Sequence, residues 1–224
     1  MKKEFSINFI ALTALIILAS CGRKEVDSSY TDSTYTQGIQ TIPGKLQCEY
    51  YDFGGEGVSF HDMDTSNNGS GKLNKGSDYL STFRKDEAVD ISYTKFRNDI
   101  DNSIFNKVQP EKGQLYIGWT EPGEWTKYTL DVKKAGTYRV GIMYTSNQGG
   151  QISLMTDKGI NSGTMDITST YDAKDTIQWR QWHHWNLDEN IGEIELAEGI
   201  QSISLHTVTN GQMNYDYLSF TYLD

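Results

Sequence analysis

The chain has 224 residues, a formal net charge of −10 and a hydrophobic content of 37%. That acidity excludes a nucleic-acid partner, because phosphates are gripped by basic patches. Two cysteines are too few for a framework of disulfides.

The amino terminus reads as a targeting segment. Lys2 and Lys3 precede the apolar run 9–18, too short to span a membrane as a helix and of the length used in signal peptides. The run closes in LASC (18–21), which resembles the lipobox of bacterial lipoproteins. That resemblance implies cleavage before Cys21, acylation of Cys21 and a membrane anchor. The expected location is the bacterial outer membrane, with the periplasmic or surface face left open. Residues 22–41 are polar and rich in Ser and Thr, and read as a tether. The folded domain is then expected over 42–224, long enough for one core.

From Ile42 onward the apolar pattern has period two. In GKLQCEYYD (44–52), Leu46, Cys48 and Tyr50 point one way, and Gln47, Glu49 and Tyr51 the other. Cys48 reads as a small core residue. Gln47 and Glu49 are neighbouring oxygen donors. Glycines and Asn/Asp clusters then punctuate the chain in FGGEG, SNNGSG and NQGG. Residues 74–114 and 145–177 read as long excursions. WTKYTLDVKKAGTYRVGIMY (125–144) alternates on both sides of KKAG and predicts a β-hairpin. QISLMT, IQSISLHTV and MNYDYLSFTYL predict further strands. Several short strands with turns between them imply an all-β fold, an antiparallel sandwich or barrel.

In the last strand, the alternation puts Asn214, Asp216, Leu218, Phe220 and Tyr222 on one face. A carboxylate in such a row needs compensation. If first and last strands pair, Gln47, Glu49 and Asp216 converge as hard oxygen ligands for Ca²⁺. Hydrogen bonding to backbone at a sheet edge is the equal alternative from spacing alone.

Four blocks together resemble the family 6 carbohydrate-binding modules: IPGKLQCEYYDFGGEGVSFHD, YIGWTEPGEWTKYTLDVKKAGTYRVGIMY, WRQW and MNYDYLSF. The resemblance implies a β-sandwich jelly roll and a polysaccharide or oligosaccharide ligand. It also implies a structural calcium on Gln47, Glu49 and Asp216. Glycoside hydrolases or transport proteins of the same pathway are the implied protein partners. It places Trp179 and Asn214 in a sugar cleft among loops, Glu56 at the cleft edge, and Trp182 in a packing role. Trp185 shares strand parity with Trp179 and joins the ligand-facing set, although a place under a loop fits it equally. One departure stands out. An aromatic is expected in the Gly-rich loop, where this chain has Lys72 and Leu73. Tyr79, Phe83, Tyr93 and Tyr171 are the replacements considered.

Other chemistries carry less. Glu121 and Glu124 could be imagined as a glycosidase pair, but they sit in a turn motif. His183 and His184, adjacent on a strand, would point apart and not share a metal. The sequence therefore predicts a non-catalytic, lipid-anchored carbohydrate-binding protein. The rivals are a hydrolase-like enzyme with a site in the inserted loops, and an adhesive lipoprotein without sugar binding.

Overall fold

A computed structural model describes residues 39–224. The expected signal peptide, Cys21 and nearly all of the tether lie outside the described residues. Among the described residues, no helix is long and apolar enough to cross a membrane.

Among the described residues, twelve strands form two six-stranded sheets. They are β1 (Gln40–Ile42), β2 (Gly44–Gln47), β3 (Phe60–His61), β4 (Ile91–Tyr93), β5 (Leu115–Ile117), β6 (Trp125–Val132), β7 (Gly136–Ser146), β8 (Gly150–Thr156), β9 (Asn161–Ile167), β10 (Asn186–Leu196), β11 (Gly199–Thr209) and β12 (Met213–Tyr222). The first sheet runs β1-β6-β11-β8-β9 with β3 beside β6. The second runs β10-β7-β12-β5-β4 with β2 beside β12. Every pairing is antiparallel except β1 on β6. The sandwich already begins at Gln40, inside the segment read as tether.

The core lies between the sheets and follows the period-two pattern. Tyr128, Leu130 and Val132 of β6 face Tyr138, Val140, Ile142 and Tyr144 of β7, all essentially inaccessible to solvent. These two strands do not form the predicted hairpin. β6 pairs with β11 in one sheet, and β7 pairs with β10 and β12 in the other, so KKAG crosses between sheets. Alternation fixes which side chains face inward. It does not distinguish a neighbour in the same sheet from one across the core. The expected pairing of the chain's two ends does occur, with Gln47 opposite Tyr217 and Leu46 opposite Leu218. Much of 145–177 is also regular, as the hairpin β8–β9.

A β-bulge reshapes the last strand. The β7–β12 register jumps between Tyr215 and Tyr217, leaving Asp216 as the extra residue. Tyr215, Leu218 and Phe220 join the main core, whereas Tyr217 joins a second cluster with Tyr116, Met143 and Trp185. Asp216 therefore does not share the core-facing row of Leu218 and Phe220, and Asn214 falls on the outer side. Val108 of the 95–113 segment and Leu187 pack against that second cluster, which covers part of the second sheet's outer face.

Candidate functional site

A cleft of about 340 Å³ opens where β5 ends and β12 begins, lined by Tyr116, Trp119, Trp179, Trp182, His183, Gln212 and Asn214. Three elements supply it. The first is not a strand, as parity arguments assumed, but a 3-10 helix, Gln178–Trp182. Residues three apart eclipse in that geometry, so Trp179 and Trp182 stand on the same side. Trp179 is 49% exposed, and its ring stands edge-on to His183 with centroids 5.9 Å apart. Trp182 lines the cleft instead of plugging the core, which corrects the packing role expected for it.

Asp175 holds this helix. Its side chain is fully buried and bonds Arg180 Nε at 2.7 Å and Nη2 at 2.8 Å, His184 Nε2 at 2.8 Å and the Ile177 amide at 2.9 Å. The Arg180 bonds lead in holding the Asp175 carboxyl well below the ordinary carboxylate range. The buried Gln181 adds three bonds to the backbone of Asp172 and Asp175. A recognition helix of five residues cannot stand alone; these contacts fix it.

The second element is the start of β12. Asn214 is buried, and its Nδ2 donates to Thr145 Oγ1 at 2.9 Å and to the Trp182 carbonyl at 2.8 Å. Both amide protons are therefore spent inside the protein. Oδ1 remains as an acceptor. A side chain at Gly118 would crowd it, because a Cβ there would lie 2.8 Å from Oδ1.

The third element is the turn after β5. Trp119 has φ of 51°, a left-handed conformation that a bulky residue rarely adopts. Such strain is kept where a side chain must be aimed, and here it turns an indole into the cleft. Trp119 thus stands in the lining as a further indole beside Trp179 and Trp182. None of Tyr79, Phe83, Tyr93 and Tyr171 lines the cleft; Tyr79 and Phe83 instead pack together, and Phe83 meets Tyr50.

Two expected site residues lie elsewhere. Trp185 is completely buried, with Nε1 donating to Asp101 Oδ1 at 2.8 Å and its ring against Tyr116. It belongs under the 95–113 segment, not against a ligand. Glu56 is exposed and bonds His61 Nδ1 at 2.5 Å and the Asp62 amide at 3.2 Å, outside the cleft lining. Glu124 accepts from the amides of Glu121 at 2.7 Å and Met63 at 3.1 Å, so its carboxylate is engaged in the turn.

Gln47, Glu49 and Asp216 do meet in one region. Cys48 N bonds Asp216 O at 2.9 Å, and a cavity of about 260 Å³ beside it is lined by Gln47, Glu49, Glu111 and Gln114. Asp216 is buried; Oδ1 accepts from Gln114 Nε2 at 2.6 Å. Asp216 Oδ2 and Gln47 Oε1 are buried without a hydrogen-bond partner among the described residues. Burial pushes the Asp216 carboxyl well above its ordinary range, only partly offset by Lys45 and the Gln114 bond. Such oxygens fit a hard cation. Among the described residues, no three His, Cys, Asp or Glu side chains gather into a metal cluster; the set here is two carboxylates and an amide oxygen.

A β-sandwich with an aromatic cleft at one end defines a class of binding module. Residues 82–222 match the family model for the carbohydrate binding module (family 6), and the chain belongs to that family. No protein with a curated description matches the chain in sequence. Among solved structures, the chain is similar to a family 6 module from Clostridium stercorarium in complex with cellobiose. The identity is 15% and the TM-score 0.49, covering 84% of this chain and 99% of that one. A β-1,3-glucan-binding module from Bacillus halodurans has 16% identity and a TM-score of 0.49, covering 81% of this chain and 98% of that one. A module from Clostridium cellulolyticum in complex with xylose has 15% identity and a TM-score of 0.44, covering 81% and 99%.

Proposed function

We propose that this protein binds a neutral polysaccharide or oligosaccharide, without catalysing its cleavage, in the cleft of Trp119, Trp179, Trp182 and Asn214. The observation that carries this reading is the convergence of three indoles on one buried amide acceptor. A sugar ring has apolar C–H faces and a rim of hydroxyls. Flat aromatic faces take the first, and a fixed acceptor takes the second. Among the described residues the lining contains no Lys, Arg, Asp or Glu, which favours an uncharged glycan. It also offers no carboxylate pair of the kind that glycoside hydrolysis uses.

A structural Ca²⁺ on Gln47, Glu49 and Asp216 is part of the same reading. It is supported by the buried oxygens of Gln47 and Asp216 and by the pairing of the chain's two ends. Bound there, the ion would add to the partial compensation that Lys45 gives Asp216. The lipobox-like LASC supports a tether from Cys21 to a bacterial membrane, the outer membrane in our reading, where the module would hold glycan for hydrolases or transport proteins.

The test is a glycan array probed with the full-length chain, followed by calorimetry on the best ligand. Binding that Trp179→Ala removes is the expected result. Hydrolysis of a bound polysaccharide, or no binding to any neutral glycan, would overturn the reading.

A further inference from the structure

We propose that His183, oriented by Asp101, is a specificity-determining residue of the cleft and presents Nε2 to a sugar hydroxyl. This rests on the carbohydrate-binding reading and extends it to a segment that reading leaves unused. Asp101 belongs to the 95–113 segment, 82 residues before His183 in sequence. Its side chain is completely buried. Oδ2 accepts from the Lys95 amide at 2.7 Å, and Oδ1 accepts from Trp185 Nε1 at 2.8 Å. The loop is closed around it by Asn106 Nδ2, which donates to the Asp101 carbonyl at 2.8 Å. A carboxylate held by that many fixed donors cannot drift.

Oδ1 also meets His183 Nδ1 at 2.8 Å. A carboxylate only accepts, so Nδ1 carries the proton, and the bond fixes both tautomer and ring plane. In the neutral ring Nε2 is then an acceptor. Among the described residues nothing bonds to Nε2, while the ring lines the cleft with its side chain 22% exposed. With Nδ1 tied inward, Nε2 is the polar atom left for a ligand. The cleft thus offers two fixed polar atoms, Asn214 Oδ1 and His183 Nε2, beside three stacking faces. It selects a sugar whose ring hydroxyls reach both. Asp101 touches no ligand; it is a positioning residue that acts through His183.

The experiment is calorimetric titration of the full-length parent and variants with neutral tetrasaccharides of the cello, laminari and xylo series, alongside thermal melts. His183→Ala is expected to weaken binding at least about fivefold; because it also removes a partner of the buried Asp101 carboxylate it should melt lower, and affinity is compared well below its unfolding transition. His183→Gln, whose amide reaches toward the place of Nε2, should recover part of the loss. Asp101→Asn should weaken binding in the parent yet have no further effect in the His183→Ala background, which a merely structural role would not produce. If His183→Ala binds like the parent while Trp179→Ala does not, this proposal fails and the carbohydrate reading stands. If Asp101→Asn costs as much with His183 absent, Asp101 is not a positioning residue. A parent that holds no neutral glycan, on the array or among these sugars, overturns both.

Discussion

The three cleft tryptophans reach their places by two local devices: Trp119 by a left-handed backbone, Trp179 and Trp182 by the eclipsed spacing of a 3-10 helix. Removing the Trp119 ring should therefore affect binding as strongly as removing Trp179. Trp119→Ala is expected to cost on the order of 2 kcal/mol, at least about tenfold in affinity, with the fold retained. Calorimetry beside a thermal melt checks it; a Trp119→Ala variant that binds like the parent would show that this ring does not meet the ligand. Trp185→Ala should behave in the opposite way. Its ring is fully buried, so truncation should lower stability by roughly 3–5 kcal/mol. Denaturant unfolding reads this directly, and a loss under 1 kcal/mol would contradict the packing described. At this scale the sequence was enough to bring Trp179 and Asn214 to one cleft lining, because the spacing and setting of both are carried by family-like blocks. It left Trp185 between a ligand and a loop, and kept Trp182 out of the lining, because strand parity does not hold in a segment that is a helical turn followed by a loop. Trp119 was hidden by its neighbours: a ring inside a Gly-Pro turn motif reads as part of the turn.

The 3-10 helix is an element whose position depends on one buried carboxylate. Asp175 holds Arg180, His184 and the Ile177 amide at once. Asp175→Ala leaves a mostly buried guanidinium unpaired, which should cost about 3–5 kcal/mol. The sign of the pH dependence follows from the lowered carboxyl. A depressed folded pKa gives stability that is present above the unfolded value, near 3.9, and is lost as pH falls through the folded value. The parent's melting temperature should therefore fall more steeply below about pH 4 than that of Asp175→Asn, which has no such proton to take up. Parallel profiles for the two would show that the carboxylate is not held as described. Elements themselves were mostly legible. The strands at 125–132 and 136–146 stand where alternation put them, and β2 meets β12. What alternation could not show was the crossing at KKAG. Nor could it show the bulge at Asp216, where one extra residue reverses which side chains face outward.

At the scale of the whole molecule, the pairing of β2 with β12 closes the sandwich, and Gln47, Glu49 and Asp216 sit at that closure. Calcium there would join the two ends of the domain. At about a hundred times its dissociation constant it should add about 2.7 kcal/mol to stability. Asp216→Asn should remove the response to both calcium and chelator. A parent whose melting temperature ignores both would count against the ion. The tether and anchor expected before Gln40 set where this closed unit works, not how its cleft is built. Whether the indole cleft holds a neutral glycan is decided by calorimetric titration of parent and Trp179→Ala with the best array ligand. The account predicts saturable binding by the parent and at least a tenfold loss in the variant at an unchanged melting temperature. Equal affinity for the two proteins would contradict it.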